Sequence, residues 1–172
     1  FNREEILNVS DDIKKTIDTL ISRDFSDLCK LLDESDRIYA FGTGEVQSNA
    51  VKELKRNFLC IGKLVNAIEG NDEMEIMTNF MTDSYLIFFI SLSGENKRLN
   101  KFAKILKEKG VSIVSITEGG NNSLSKLSDI SIQFYTAEVA RLDNNLQIIS
   151  ASQFFVINEF LLLKYLEYKY SK

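Results

Sequence analysis

The chain has 172 residues, enough for one domain and a little more. Apolar residues make up 44 % and charged residues 27 %, which excludes a disordered polymer, and no apolar run approaches the ~20 residues of a membrane helix. The formal charge is −4, and it is uneven: residues 1–36 hold five basic and ten acidic side chains, a net −5, and the remaining 16 and 15 leave +1.

That acidic leading segment would repel phosphate backbones, so the chain itself is not expected to grip nucleic acid. There is no histidine, which removes the commonest general base, the commonest metal ligand and every histidine-dependent triad. The two cysteines, Cys29 and Cys60, are far apart and form no metal motif, so they are expected to be two buried, reduced thiols in a cytoplasmic protein. Proline is absent, leaving turns to Gly, Asn, Asp and Ser. No secretory signal is visible. The first residue is Phe1 rather than Met, and the expectation is a fragment of a longer protein.

Ile6, Ile13, Ile17, Leu20 and Ile21 recur at three- and four-residue steps and predict a leading helix. After a break at 22–26, Leu28, Leu31 and Leu32 predict a short second helix. These residues, 1–35, read as a helical arm ahead of a body at 36–172. From there short β-rich runs alternate with amphipathic helices: 37–41 then 45–58, 63–67 then 72–81, 85–91 then 97–109. A strand at 111–117, a short turn at 123–127 and a strand at 130–134 follow, and a long helix over 148–168 ends the chain. The run Leu86–Ile90 is apolar on consecutive residues, as a strand buried on both faces must be. Such alternation predicts an α/β fold, a three-layer αβα arrangement doubly wound on a mostly parallel five-stranded sheet.

The last helix carries two apolar faces. Ile148, Phe155, Val156, Phe160 and Leu163 form one, and Phe154, Ile157, Leu161, Leu162 and Tyr165 the other. One face needs a cover, either the folded-back arm or a second subunit.

Ligands in an open parallel sheet bind at the carboxyl ends of strands, beside helix N-termini. Three segments fall there. Gly42, Thr43 and Gly44, followed by Glu45, lie between a strand and a helix and suit an anion, or else a plain tight turn. The third glycine of a dinucleotide fingerprint is missing, because Gln47 stands there, so a nucleotide-dependent oxidoreductase is disfavoured and no cofactor is expected. Ser91, Ser93, Gly94 and Asn96 follow the most buried strand; their hydroxyls suit phosphate or sugar, although Ser93 or Asn96 could simply cap the next helix. Thr117 opens a third segment, which reads chiefly as a turn into a capped short helix. Lys97, Lys101 and Lys104 share one helix face and read as a solvated stripe. Glu138 and Arg141 lie in an irregular stretch, where Glu138 is either a base or sugar ligand or half of a surface ion pair.

In order and spacing, the strand ending Phe41-Gly42-Thr43-Gly44, the strand ending Ile90-Ser91-Leu92-Ser93-Gly94-Glu95, the strand ending Ile116-Thr117, and Leu127-Ser128-Asp129 before the next strand together resemble a SIS (sugar isomerase) domain. The resemblance covers roughly residues 36–168, and the leading helices are similar to the linker that joins a helix-turn-helix to the SIS domain in RpiR-type transcription regulators. It implies a non-catalytic effector domain that senses a phosphosugar or related small anion. Gly42, Thr43, Gly44, Ser91, Ser93, Gly94, Asn96, Thr117 and Glu138 would be the ligand-binding residues, with no metal and no cofactor. It also implies a cytoplasmic homo-oligomer, a dimer or tetramer formed through the N- and C-terminal helices, away from membranes, that meets DNA only through a domain outside this chain. The alternatives are an aldose–ketose sugar-phosphate isomerase, with Glu138 as base, and a degenerate domain that only dimerises. Two departures bear on the ligand: Val46, beside Glu45, stands where the family pattern Gly-x-Gly-x-Ser has its serine, and Ile149 and Ser150 stand where many relatives have a Ser-Arg pair.

Overall fold

In the computed structural model, which describes residues 3–171, the sheet lies between two helical layers. The leading helices are α1 (Arg3–Ile21) and α2 (Ser26–Glu34). Four strand–helix units follow: β1 (Arg37–Gly42) and α3 (Glu45–Leu59), β2 (Val65–Ile68) and α4 (Gly70–Phe80), β3 (Tyr85–Ile90) and α5 (Lys97–Glu108), β4 (Ser112–Glu118) and α6 (Ser123–Leu127). The chain ends with β5 (Ile130–Phe134), a hairpin of β6 (Glu138–Arg141) and β7 (Gln147–Ile149), and α7 (Ser152–Tyr170). Residues 1, 2 and 172 of the two predicted segments lie outside the described residues.

All five strands of the main sheet pair in parallel, in the order β2-β1-β3-β4-β5. The expected doubly wound fold is therefore present. The order reverses direction at β1 and β3, and this is where such sheets open a crevice at their carboxyl edge. The continuous apolar run of β3 is explained by its position: Leu86 to Ile90 are all fully buried, alternating between the two cores. Leu86, Phe88 and Ile90 face α1, α2, α3 and α7, and Ile87 and Phe89 face α4, α5 and α6.

The leading helices belong to the first of these cores. Leu20, Phe25, Leu28, Cys29 and Leu32 are buried in it, and Phe25 meets Phe160 of α7 edge-on at 5.4 Å between ring centres. The Thr16 hydroxyl accepts from the Tyr135 N–H at 3.0 Å, just past β5, and the Lys15 ammonium sits 4.0 Å from the centre of the Tyr135 ring. At the other end Asp33 accepts from the Tyr165 hydroxyl and from Lys169, at 2.9 and 2.8 Å. Burial, then the hydrogen bond to Asp33, pushes the Tyr165 phenol well above its ordinary range.

Several expectations need correction. Residues 138–149 form an antiparallel hairpin, with Asn145 in the left-handed region at φ 64°, and Ile148 and Ile149 belong to its second strand rather than to the last helix. The hairpin carries too few alternating residues for a period of two to register. Cys60 is exposed, because it terminates α3 beyond the buried Phe58; Cys29 is buried as expected. The two-faced character of α7 is real, but only one face is closed: Phe154, Ile157, Leu161 and Tyr165 are buried, whereas Phe155 is 40 % and Leu163 64 % exposed. Among the described residues no helix is long and apolar enough to cross a membrane.

Candidate functional site

The parallel register sets the β1–α3 and β3–α5 loops side by side. Gly42 lies opposite Ile90, and the Thr43 N–H donates to the Ile90 carbonyl at 3.0 Å. The two loops enclose an open cavity of about 420 Å³, lined by Thr43, Gly44, Gln47, Ser91, Leu92, Ser93, Glu95 and Asn96. Both following helices begin here, so their first N–H groups, which have no intrahelical acceptor, gather around one space.

Each loop is shaped by glycine. Gly44 precedes the first residue of α3 at φ 95°, a conformation that side-chain-bearing residues rarely adopt. A Cβ on Gly42 would lie 2.4 Å from the backbone carbon of Gln47, so only glycine allows α3 to start this close to β1. The Gly94 N–H donates to the Ser91 hydroxyl at 3.2 Å, and a Cβ there would fall 2.1 Å from the Asn122 amide oxygen. Asn96 caps α5 by accepting from the Leu99 N–H at 2.9 Å, and it also lines the cavity; the capping and binding readings of this residue are compatible. Ser93 is exposed, and its hydroxyl accepts from the Glu95 N–H at 3.2 Å.

The β3–α5 loop is fastened from behind. The Glu118 N–H donates to the Leu92 carbonyl at 2.8 Å, and the Leu124 N–H to the Gly94 carbonyl at 3.0 Å. Glu95 accepts from the Ser123 N–H at 2.9 Å and from its hydroxyl at 2.6 Å; the hydroxyl above all, then the N–H, hold the Glu95 carboxyl below the ordinary carboxylate range.

Two expected site residues lie elsewhere. Thr117 is fully buried and lines none of this cavity. Its hydroxyl donates to the Gly119 carbonyl at 3.1 Å and accepts from the Asn122 amide at 2.9 Å, so it braces the turn that carries Asn122. Glu138 stands on the hairpin, where it accepts from Arg141 at 3.0 and 2.6 Å and also from Gln147. These bonds, Arg141's first, hold its carboxyl below the ordinary range, whereas proton transfer near neutrality would require the opposite. Gly94 shapes the loop rather than lining the space. Lys97, Lys101 and Lys104 are exposed, as expected of a solvated stripe.

Three lining residues escaped the sequence reading. Gln47 enters the cavity from the first turn of α3. Ser48 lies along an adjoining chamber, its hydroxyl donating to the Gly42 carbonyl at 3.5 Å. It supplies a hydroxyl two residues beyond Val46. Asn71, at the start of α4, closes the far end. Their signal was positional, since each falls within one turn of a helix start at the carboxyl edge.

Comparison with known proteins agrees with this geometry. The model of the SIS domain family matches residues 31–160. Over 159 residues the chain is 32 % identical to the HTH-type transcriptional regulator GlvR of Bacillus subtilis (strain 168), covering 92 % of this chain and 62 % of GlvR. The chain thus spans about three-fifths of that relative's length. The sugar isomerase domain of an RpiR transcription factor from Sphaerobacter thermophilus superimposes with a TM-score of 0.75 at 15 % identity, covering 94 % of this chain and 85 % of that one. The Vibrio vulnificus NanR protein complexed with ManNAc-6P gives a TM-score of 0.77 at 17 % identity, over 97 % of this chain and 62 % of that one. A structure from Methanococcus jannaschii whose description infers a 3-hexulose-6-phosphate isomerase function shares the fold as well, with a TM-score of 0.72 at 16 % identity, over 95 % of this chain and 90 % of that one. With a family match over most of its length, and with the paired strand-end loops of that fold in place, the chain belongs to the SIS domain family.

Proposed function

We propose that the chain is the effector-sensing module of an RpiR-type transcription regulator, capturing a sugar phosphate without transforming it. The observation that carries this reading is the meeting of Gly44 and Ser93 in one open, polar cavity at the starts of two helices. Hydroxyls, amides and helix N-termini recognise a phosphate dianion and move no proton at neutral pH, and the carboxylate that lines this cavity, Glu95, is held by Ser123 below the range a neutral-pH base needs. The likeness to GlvR and to the NanR complex with ManNAc-6P supports the regulator and the ligand class. The paired, acidified Glu138 speaks against isomerisation through that residue. Occupancy would be passed on through α1, which is tied to the body at Tyr135, to a DNA-reading domain outside this chain in a cytoplasmic protein. The open face of α7, with Phe155 and Leu163, would be covered by a second copy.

The test is a panel of sugar phosphates at millimolar concentration, read by thermal shift and sedimentation velocity. A ligand at a hundredfold excess over its Kd should raise Tm by roughly 5–10 °C for a chain of this size. Sedimentation should give a dimer or larger, and Leu163→Glu should loosen it. Absence of a shift with every member would overturn the sensing role, turnover of any member would overturn the non-catalytic one, and a monomeric wild type would overturn the oligomer.

A further inference from the structure

The cavity continues past the two loops. Thr43, Gly44 and Asn96 also wall a second chamber of about 210 Å³, which reaches Gly70 and Asn71 at the start of α4. The two ends of this combined space differ in charge. The first turn of α5 holds no acid and begins with Lys97 and Arg98. The first turn of α3 holds Glu45, and that of α4 holds Asp72 and Glu73. An N-terminus seats an anion, and an acidic side chain in its first turn satisfies part of that demand beforehand. Glu95 lines the α5 end, but its carboxylate is taken up by the Ser123 N–H and hydroxyl, whereas among the described residues Glu45 at the α3–α4 end has no such partner; the α5 end is therefore the better seat for phosphate.

Glu45 is the acid that lines the second chamber itself. It is exposed, and among the described residues it has no ion-pair partner. Lys52, two turns further along α3 on the same flank, is held by Glu69 at 3.5 Å. Asp72 lies 3.4 Å from Arg98. The other polar side chains of this chamber, Thr43, Ser48, Asn71 and Asn96, are neutral donors and acceptors suited to hydroxyls.

We propose that the second chamber takes the far end of the phosphosugar, that this end is uncharged or carries an amine, and that Glu45 is the residue that excludes ligands with a second anionic group there. The inference rests on the sensing role and names its ligand class: monophosphates of neutral or amino sugars, as against bisphosphates and phosphorylated sugar acids. Like charges a few ångströms apart in a partly solvated site are worth a few-fold to about tenfold in affinity, less at high salt.

The experiment is calorimetric titration of the wild-type chain and of Glu45→Gln with matched pairs, glucose 6-phosphate against 6-phosphogluconate and fructose 6-phosphate against fructose 1,6-bisphosphate, with glucosamine 6-phosphate as the amine. The wild type should prefer, in each pair that binds, the member with one anionic group. Glu45→Gln should narrow that preference about three- to tenfold at low salt, less as salt rises, and should weaken glucosamine 6-phosphate relative to glucose 6-phosphate. An unchanged preference, equal weakening of all ligands by the substitution, or a wild type that favours the members with two anionic groups would overturn this inference and leave the sensing role standing. Failure of every member to bind either protein would overturn both.

Discussion

The two loops that line the cavity do similar work with different construction. The β3–α5 loop is tied at Leu92, Gly94 and Glu95 to the turn and helix that follow β4, with Asn122 pressed against Gly94. Its shape is held by residues outside the cavity lining, Glu118, Asn122, Ser123 and Leu124. Among the described residues the β1–α3 loop has lighter backing: the Thr43 N–H donates to the Ile90 carbonyl and the Ser48 hydroxyl to the Gly42 carbonyl, two glycines and the start of α3 give the rest of its form, and its lining side chains, Glu45, Gln47 and Ser48, are carried on one helical turn. A fastened loop can hold a common feature of many ligands, such as phosphate. A lightly held turn can change side chains at small cost to the fold, and so can decide what else the ligand carries.

The sharpest way to break this contrast is at the glycines. Gly42→Ala sets its Cβ against the Gln47 backbone, which cannot yield locally, and should cost about 2–4 kcal/mol of stability in urea denaturation. Gly94→Ala meets the Asn122 side chain at φ 69°, and should cost about 1–3 kcal/mol together with most ligand affinity. Equal and negligible losses at both would remove the distinction between a backbone-limited loop and a braced one.

A smaller effect separates holding a ligand from holding the loop. Ser93 is exposed and among the described residues its hydroxyl supports only the Glu95 N–H, so Ser93→Ala should weaken sugar-phosphate binding about tenfold, with Tm changed by less than about 2 °C. A Tm loss as large as that of Gly94→Ala would place Ser93 among the braces instead.

The smallest effect concerns pH. Ser123 lowers the folded-state pKa of Glu95, so the stability from this pair is present above the ordinary carboxylate range and is lost as pH falls through the lowered value. Glu95→Gln should lower Tm slightly at neutral pH, only slightly because the group is exposed, and should leave the acid end unchanged, so that the profile flattens. An unchanged Tm at neutral pH would mean that the charge does not brace the loop.

How far each part could be read from the residues follows from the range of the forces involved. Strands buried on both faces announce themselves by consecutive apolar residues, as in Leu86–Ile90, and amphipathic helices by period, as in Leu99, Phe102, Ala103 and Leu106, all buried in α5. The glycine and serine loops were visible because a strand followed by a glycine turn and a helix is a local pattern. The hairpin at 138–149 was not visible, since two strands of four and three residues gain their order from packing beside α1. Nor was the role of Thr117, whose residue type fits a ligand hydroxyl as well as it fits the brace it forms with Asn122.

The amino-acid order alone therefore determined the layers, the parallel sheet and the two strand ends where a ligand could sit, because burial period and turn chemistry act over a few residues. Tertiary structure decided which of the candidate polar groups share a space. It joined Gly44 to Ser93 through the β1–β3 pairing, sent Glu138 to an ion pair on the hairpin, and set Glu45 and Asn71 around one chamber. Those outcomes depend on strand register and helix placement, which are fixed by contacts between segments distant in the chain.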